Sequence, residues 1–153
     1  MRVEPPIKVR VTAVLIEDGA ILLVEQQITA SFTRRWSLPG GALEYSETLE
    51  ACLIREMREE TSLTVALDRL LYVCERIEDG RHIVHVTFAV HRVSGDLQAG
   101  REPEPEAYPI KSVRMVPITQ LNAYGFDDRF RDLALAGFPD SGTYQGLVAN
   151  IGL

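Results

Sequence analysis

The stretch that decides the fold is residues 41–63, which read GALEYSETLEACLIREMREETSL. It places Glu56, Glu59 and Glu60 at spacings of three and four, behind the turn sequence WSLPGG at residues 36–41. Because residues three and four apart share one face of a helix, the three carboxylates converge on a small volume. A hard divalent cation such as Mg²⁺ suits oxygen ligands and offsets the repulsion between them. The spacing therefore predicts a helix that carries a metal site.

The same helix has an ordinary alternative interpretation. Its apolar residues recur on one arc, and Glu56 and Glu60 fall inside that arc. Carboxylates on an inward face are costly unless they are paired or bound to metal. An acidic surface helix with i,i+4 ion pairs, such as Arg55 with Glu59, explains the charges without any metal. The helix alone leaves both interpretations open, and the flanking residues favour the metal site.

The stretch and its flanks resemble the signature of the Nudix hydrolase (MutT-like) family. That signature runs Gly-x5-Glu-x7-Arg-Glu-U-x-Glu-Glu-x-Gly-U, where U is an apolar residue. The matching positions in this chain are Gly41, Glu47, Arg55, Glu56, Met57, Glu59, Glu60 and Leu63. Ser62 stands where the family usually has the glycine that ends the helix, often in a left-handed conformation. This departure concerns the helix cap and not the charged positions.

The resemblance implies an α/β fold, a Nudix-type α/β/α sandwich with a mixed antiparallel and parallel sheet between helices. The order of elements in the sequence indicates the same class, with strands on either side of one acid-bearing helix and a second helix near the end. The 153 residues are 46% apolar, which is ordinary for a globular protein and enough for a core. We therefore expect residues 1–153 to form a single Nudix hydrolase domain.

The resemblance also assigns roles within the signature. The expected metal ligands are the Gly40 carbonyl and the carboxylates of Glu56, Glu59 and Glu60, holding Mg²⁺ or alternatively Mn²⁺. Three residues are expected to be structural: Gly41, Glu47 and Arg55. The arginine is expected to pair with signature carboxylates, and Glu47 either shares that network or contacts the metal through water.

The implied reaction is hydrolysis of the pyrophosphate bond in a nucleoside diphosphate linked to another moiety, such as a nucleotide sugar or a nucleoside triphosphate. A divalent cation polarises phosphoryl oxygens and lowers the pKa of bound water, which attacks phosphorus in line. The signature carboxylates are the expected catalytic groups. The general base is either one of them or a loop carboxylate. Glu106 is favoured over Glu102 and Glu104 because it lies closest to the next strand, and solvated loop charges give the same pattern.

Three residues before the turn are candidate substrate contacts: Arg34, Arg35 and Trp36. Adjacent arginines near a phosphate site can contact it, although solvated loop arginines are the commoner case. Trp36 fits either packing at the corner or stacking on a base. Residues 77–80 contain neither the proline typical of many ADP-ribose hydrolases nor the tyrosine typical of dinucleoside polyphosphate hydrolases. The sequence therefore indicates neither subclass.

Composition limits the partners. The net charge of −6 argues against a nucleic acid backbone, so the expected partner is a small-molecule nucleotide. No apolar run approaches the roughly 18–20 residues that cross a bilayer, and the first residues lack the apolar core of a signal peptide. Cys52 and Cys74 do not form a disulfide framework. We expect a cytoplasmic protein without a membrane partner. Many family members pair as homodimers, and the resemblance allows one here.

The remaining elements follow from local signals. Glu-Asp-Gly turns at residues 17–19 and 78–80 predict hairpins. Strand 82–93 is expected to be the longest and to lie centrally, with His85 and His91 in the core or at its rim. Ser46 is the expected N-cap of the acid-bearing helix, which ends at Thr61 or Ser62. Residues 95–109 predict a loop, while the tail, residues 140–153, has little periodicity and is left unassigned. Further elements are expected at residues 9–16, 20–24, 70–74 and 112–116 (strands) and 126–136 (helix).

Two alternatives to a hydrolase remain open from the sequence. One is a Nudix-fold nucleotide-binding or regulatory module without turnover, which would be indicated by loss of a signature carboxylate, and none is lost. The other is an unrelated α/β domain whose acidic helix only solvates a face. That domain would show no effect of divalent metal on its stability.

Overall fold

The computed structural model describes residues 6–28, 34–99 and 110–153. These residues form eight strands in one mixed sheet, two α-helices and two 3-10 helices. The strands are β1 Lys8–Glu17, β2 Ala20–Gln26, β3 Trp36–Ser37, β4 Gly40–Ala42, β5 Thr64–Glu78, β6 Arg81–Ser94, β7 Ile110–Pro117 and β8 Thr143–Leu147. The helices are α1 Leu49–Thr61 and α2 Asp128–Leu135, with 3-10 helices at Ile118–Tyr124 and Val148–Ile151.

Strand β1 lies at the centre of the sheet. One edge of β1 pairs in parallel with β6, which pairs antiparallel with β5, and β5 pairs in parallel with β8. The other edge of β1 is shared: β4 pairs with its first half and β2 with its last two residues, both antiparallel. Strand β2 continues the sheet by pairing with β3 and β7. Parallel and antiparallel pairs are thus both present, as the resemblance predicts.

The two faces of β1 carry the two halves of the core. Side chains alternate along a strand, so Val11, Ala13 and Leu15 point to one face and pack against the apolar side of α1. Val14 points to the other face, into a second cluster that includes Phe130 of α2. A helix therefore covers each face of the mixed sheet. The predicted α/β/α sandwich is confirmed.

Helix α1 begins at a different residue from the one predicted. Thr48 is the N-cap, and its hydroxyl accepts a hydrogen bond from the Ala51 amide at 3.0 Å. The prediction of Ser46 is wrong because the chain still turns there, with a φ of +66°, and the helical conformation starts later. Between the two residues, the carboxylate of Glu47 accepts from the Glu44 amide at 3.1 Å. The turn therefore closes before the helix starts.

The end of α1 agrees with the prediction. Ser62 is the C-cap in the left-handed conformation, with a φ of +66°, and its amide donates to the Arg58 carbonyl at 3.1 Å. The Ser62 hydroxyl also donates to the Gln98 carbonyl at 3.2 Å. A serine thus takes the backbone conformation that the family glycine usually takes, and a side-chain hydrogen bond accompanies it.

Most of the other strand predictions are confirmed, with shifted bounds. Both predicted hairpins form, and β6 lies centrally between β1 and β5. The prediction that this strand is the longest is wrong, since β5 has 15 residues and β6 has 14. Local sequence marked only residues 70–74 of β5, whereas pairing with β6 and β8 extends the strand in both directions.

The C-terminal segment contains elements that local patterns did not reveal. Residues 143–147 of the unassigned tail form β8, which is held by parallel pairing with β5 and not by an apolar period of its own. Helix α2 is shorter than predicted because Asp127 caps it, accepting from the Arg129 amide at 2.9 Å. Residues 100–109 of the predicted loop, with Glu106, lie outside the described residues. Within the described ranges, no helix is long and apolar enough to span a bilayer.

Candidate functional site

Strand β4 brings two glycines into a tight corner between β1 and α1. A Cβ atom on Gly40, whose φ is +151°, would lie 2.1 Å from the Val11 carbonyl oxygen. A Cβ atom on Gly41 would lie 2.1 Å from the carboxylate carbon of Glu56. Real Cβ atoms do not approach other atoms so closely, so only glycine fits either position without displacement. The corner therefore places bare backbone directly against a carboxylate of α1.

The backbone of Gly40 makes two polar contacts at this corner. Its amide donates to Oε1 of Glu60 at 3.3 Å. Glu60 is buried, with only 5% of its surface exposed. Its carbonyl oxygen accepts from the Arg10 guanidinium at 3.5 Å. Two residues that the signature predicts as ligands, Gly40 and Glu60, are thus in direct contact.

Arg55 connects the other signature carboxylates. Its guanidinium binds Glu47 through two nitrogens, at 2.7 and 3.0 Å. A third nitrogen donates to Glu56 at 2.9 Å and to Glu59 at 3.3 Å. One planar guanidinium therefore holds the loop before α1 and two carboxylates of the helix in one arrangement.

The pKa values follow from these contacts. The hydrogen bonds from Arg55 lower the pKa of Glu47 to about 2. The same bonds, with the charges of Glu47 and Glu56, raise the pKa of the Arg55 guanidinium. Burial raises the pKa of Cys52, next to this network, to about 12, so its thiol is neutral. Glu47 and Arg55 are therefore both charged at neutral pH, without a reactive thiol beside them.

The corner fits a divalent cation by donor type. Carboxylate and carbonyl oxygens are the ligands that Mg²⁺ and Mn²⁺ prefer. Four glutamates of the signature lie here, with Arg55 and Arg10 as the neighbouring cations of the described chain. However, no three His, Cys, Asp or Glu side chains of the described residues already converge in the geometry of a metal site. Arg55 donates hydrogen bonds to oxygens of Glu56 and Glu59, so the arginine holds these two carboxylates close together.

Two of the candidate substrate contacts have partners within the protein. Arg35 forms an ion pair with Glu25, which is 8% exposed and also accepts from the Ser112 hydroxyl at 2.9 Å. The Ser112 hydrogen bond, followed by Arg35, lowers the pKa of Glu25. Arg34 donates to the Gly125 carbonyl at 2.9 Å. These contacts tie the chain before β3 to β2 and to the end of the first 3-10 helix.

Trp36 packs at the corner of the sheet. Its ring meets Tyr124 edge-on with centroids 5.0 Å apart, and the Arg114 guanidinium lies 5.1 Å from its centroid. Arg34 lies over the Phe126 ring at 5.2 Å. All three candidates therefore have partners within the protein, and Arg34 also lines a cleft.

That cleft lies on the face of the sheet opposite α1 and has a volume of about 110 Å³. Its floor comes from β1, β5 and β6, and its walls include Leu38, Phe126 and Leu153. No Asp or Glu side chain is among its described lining residues, whereas four arginines are: Arg10, Arg34, Arg76 and Arg81. The cleft is therefore strongly cationic in a protein whose net charge is −6.

The cleft and the glycine corner are adjacent through two residues of β1. Arg10 lines the cleft and also reaches the Gly40 carbonyl. Thr12, another lining residue, is the register partner of Gly40 across the β1–β4 pair. Arg10 and Thr12 therefore lie between the cleft and the backbone of the glycine corner.

The sequence profile of the NUDIX domain matches residues 6–134. The chain belongs to the NUDIX family.

Named relatives agree with this membership. A MutT-like protein of Streptomyces ambofaciens is 32% identical over 127 residues, covering 78% of this chain and 79% of its own length. An ADP-ribose pyrophosphatase of Methanocaldococcus jannaschii is 34% identical over 94 residues, or 60% of this chain. That alignment spans only 55% of the archaeal protein. A solved NUDIX hydrolase from Nitrosomonas europaea superimposes with a TM-score of 0.70 over 97% of this chain and 81% of its own, at 22% identity.

The NUDIX signature accounts for the corner but not for the cleft. The structure brings together Gly40, Gly41 and the predicted carboxylates of α1 with Arg55 and Glu47. The residues that sequence reasoning missed are in the cleft: Arg10, Tyr72, Arg76, Arg81 and His85. Their signal in the sequence is weak, because Tyr72 and Arg76 share a face of β5 with Cys74 between them, and Arg81 and His85 share a face of β6 with Ile83 between them. Local sequence cannot tell whether such a face is solvent or a cleft.

Proposed function

We propose that this NUDIX chain is a single-domain, Mg²⁺-dependent pyrophosphohydrolase, with Mn²⁺ as an alternative ion. Its substrate is a nucleoside diphosphate linked to another moiety, and it cleaves the pyrophosphate bond. The observation that carries the proposal is the glycine corner, where bare backbone lies against Glu56 and Glu60. The proposed ligands are the Gly40 carbonyl and three carboxylates: Glu56, Glu59 and Glu60.

The bound cation would polarise the phosphoryl oxygens and lower the pKa of a water molecule for in-line attack. The residues of the chain prepare that site. Arg55 holds Glu56 and Glu59 close together despite their like charges. The low pKa of Glu47 keeps it ionised, so that it remains the partner of Arg55 at neutral pH. The Gly40 amide orients Glu60. Positioning of this kind supplies much of the catalysis of phosphoryl transfer.

The cationic cleft is the proposed site for the rest of the nucleotide. It adjoins the corner at Arg10, whose positive charge would balance negative charge on the pyrophosphate. Arg34 and Phe126 form a wall with a cation and an aromatic face. The name of the archaeal relative supports a nucleoside diphosphate joined to a sugar, although the chain lacks the proline typical of many ADP-ribose hydrolases.

Proton transfer is assigned to carboxylates. The general base is proposed to be a signature glutamate or Glu106, which lies on the segment that follows β6. A carboxylate of either origin can accept a proton from the attacking water if it comes within hydrogen-bond reach. Replacing Glu106 by Gln distinguishes the two candidate bases, because turnover persists only if a signature glutamate is the base.

The test is release of phosphate-containing product across a nucleotide panel, first with Mg²⁺ or Mn²⁺ and then with EDTA. The panel contains nucleoside triphosphates, nucleotide sugars, ADP-ribose and dinucleoside polyphosphates. We expect metal-dependent turnover, and we expect the double substitution Glu59→Gln, Glu60→Gln to abolish it while the circular dichroism spectrum is unchanged. Glu50→Gln removes an exposed carboxylate from the same helix and is the matched control. Undiminished turnover in the double variant contradicts the site assignment. Metal binding without turnover on any substrate would indicate a silent nucleotide-binding module.

A further inference from the structure

The floor of the cleft is a ladder of side chains from three strands. Tyr72 on β5 pairs with Thr87 on β6, and two residues further along β5 Cys74 pairs with His85. Arg10 on β1 is the register partner of His85 from the other side. Because alternate residues of a strand share a face, Arg76 of β5 and Arg81 of β6 continue the ladder away from the glycine corner.

Two polar atoms in this floor are buried without a hydrogen-bond partner among the described residues: the Tyr72 hydroxyl and Nε2 of His85. Thr87, the polar neighbour of the tyrosine, is already hydrogen-bonded to Thr12 at 2.6 Å. Buried polar groups in native proteins are almost always satisfied, by protein, water or ligand. The floor therefore presents two unsatisfied polar atoms to a molecule that enters the cleft.

The imidazole ring of His85 is neutral. Burial first, and then the charges of Arg10, Arg76 and Arg81, lower the pKa of His85 to about 4. A neutral imidazole offers one donor and one acceptor, and an added proton would be opposed by three neighbouring cations. An anion bound among these arginines would offset their positive charge and raise the pKa of His85.

The far end of the ladder carries positive charge in excess. Arg76 and Arg81 share a single carboxylate, Glu78, at 3.0 and 3.7 Å. The Arg76 and Arg81 side chains are 22% and 30% exposed, so both are partly desolvated yet accessible. Guanidinium groups of this kind bind phosphate through paired hydrogen bonds.

This charge lies well away from the proposed scissile bond. Thr87 is level with the glycine corner through Thr12, and Arg81 lies six residues earlier on the same strand. At a rise of about 3.3 Å per residue, the backbone separation from Thr87 along β6 is about 20 Å at Arg81 and about 13 Å at Ile83, the register partner of Arg76. Two linked phosphates at the corner do not span the distance to Arg81. We therefore expect these arginines to bind a different anionic group.

We propose that Arg76 and Arg81, with His85 beside them, form a second anion subsite that binds a phosphomonoester on the part of the substrate remote from the scissile pyrophosphate. The inference rests on the proposed function and names its substrate class: nucleoside diphosphate derivatives that carry a further phosphate. The Tyr72 hydroxyl and His85 Nε2 hydrogen-bond the uncharged atoms between the two anionic ends.

Matched ligand pairs that differ by one phosphomonoester test the subsite: NADP and NAD, coenzyme A and dephospho-coenzyme A, and ADP-ribose with and without a 2′-phosphate. Binding is measured by calorimetry with EDTA present, so that the result does not depend on turnover. We expect the phosphorylated member of at least one pair to bind about tenfold or more tightly, as for a hydrogen bond to a charged group. NMR titration should show a higher pKa for His85 when that member is bound.

The double substitution Arg76→Gln, Arg81→Gln should reduce the preference within the pair to about twofold or less. Arg69→Gln removes one positive charge from an exposed position on β5, the strand of Arg76, outside the cleft, and should keep the preference. Equal binding of both members of every pair to the wild-type protein overturns the proposal, as does a preference that survives in the double variant. Preferential binding without hydrolysis of any pair would support the subsite and count against the proposed function.

Discussion

Replacing Gly41 by Ala tests whether the glycine corner places Glu56 for catalysis. The new Cβ atom would lie 2.1 Å from the carboxylate carbon of Glu56, whereas ordinary contact begins near 3.4 Å. The carboxylate therefore has to retreat by about 1.3 Å, the difference between these distances. A misplacement of about 1 Å can cost on the order of 100-fold in rate. That factor corresponds to about 2.7 kcal/mol of transition-state stabilisation.

The fold should tolerate this change. The displaced group is the end of a flexible side chain, and the contact that it strains includes the hydrogen bond from Arg55 at 2.9 Å. A charged hydrogen bond that is partly exposed contributes about 1–2 kcal/mol. Gly41→Ala should therefore lower kcat by about 100-fold while lowering the free energy of unfolding by no more than that amount.

Gly40→Ala is the matched comparison, since its Cβ atom would meet backbone instead. It would lie 2.1 Å from the Val11 carbonyl oxygen and 2.7 Å from the Thr12 Cα atom, at a φ of +151°. Backbone cannot rotate away as a side chain does, so we expect a loss of about 2–4 kcal/mol in unfolding free energy. Steady-state kinetics on the substrate found in the panel and urea denaturation measure both variants. Wild-type kcat in folded Gly41→Ala refutes the role of the Glu56 position.

Two further predictions concern α1. Thr48→Ala should cost about 1 kcal/mol in urea denaturation because it removes the N-cap hydrogen bond, whereas Ser46→Ala should stay within about 0.5 kcal/mol; equal losses would contradict the observed cap. The pKa of Glu47 is depressed from 4.5 to about 2, so its stabilising contribution is complete above pH 4.5 and is lost as the pH falls towards 2. Stability measured across that window should fall less steeply in Glu47→Gln, and an unchanged slope would show that Glu47 does not titrate this way.

Residue spacing within α1 sufficed to predict the acidic face of the corner. Spacings of three and four place carboxylates together on any helix, and the Glu-Asp-Gly turns form hairpins through short-range backbone geometry. The helix end at Ser62 was predicted for the same reason, since a left-handed cap is a local conformation. Where a contact between neighbours competes, local prediction fails: the turn closed by Glu47 and Glu44 moved the N-cap to Thr48.

The sequence by itself determined the family, the sandwich architecture and the helix that gathers the carboxylates, because these depend on periodicity and on a motif within one segment. Only the tertiary structure decided which residues of distant strands lie next to that helix and in the cleft. Arg10 reaches the Gly40 carbonyl because β4 pairs with β1 across 30 residues. The arginines of the cleft floor come together because β1, β5 and β6 pair in one register. Strand β8 forms because it pairs with the free edge of β5. Such pairings depend on backbone hydrogen bonds between distant segments, and no local pattern specifies which partner a strand will choose.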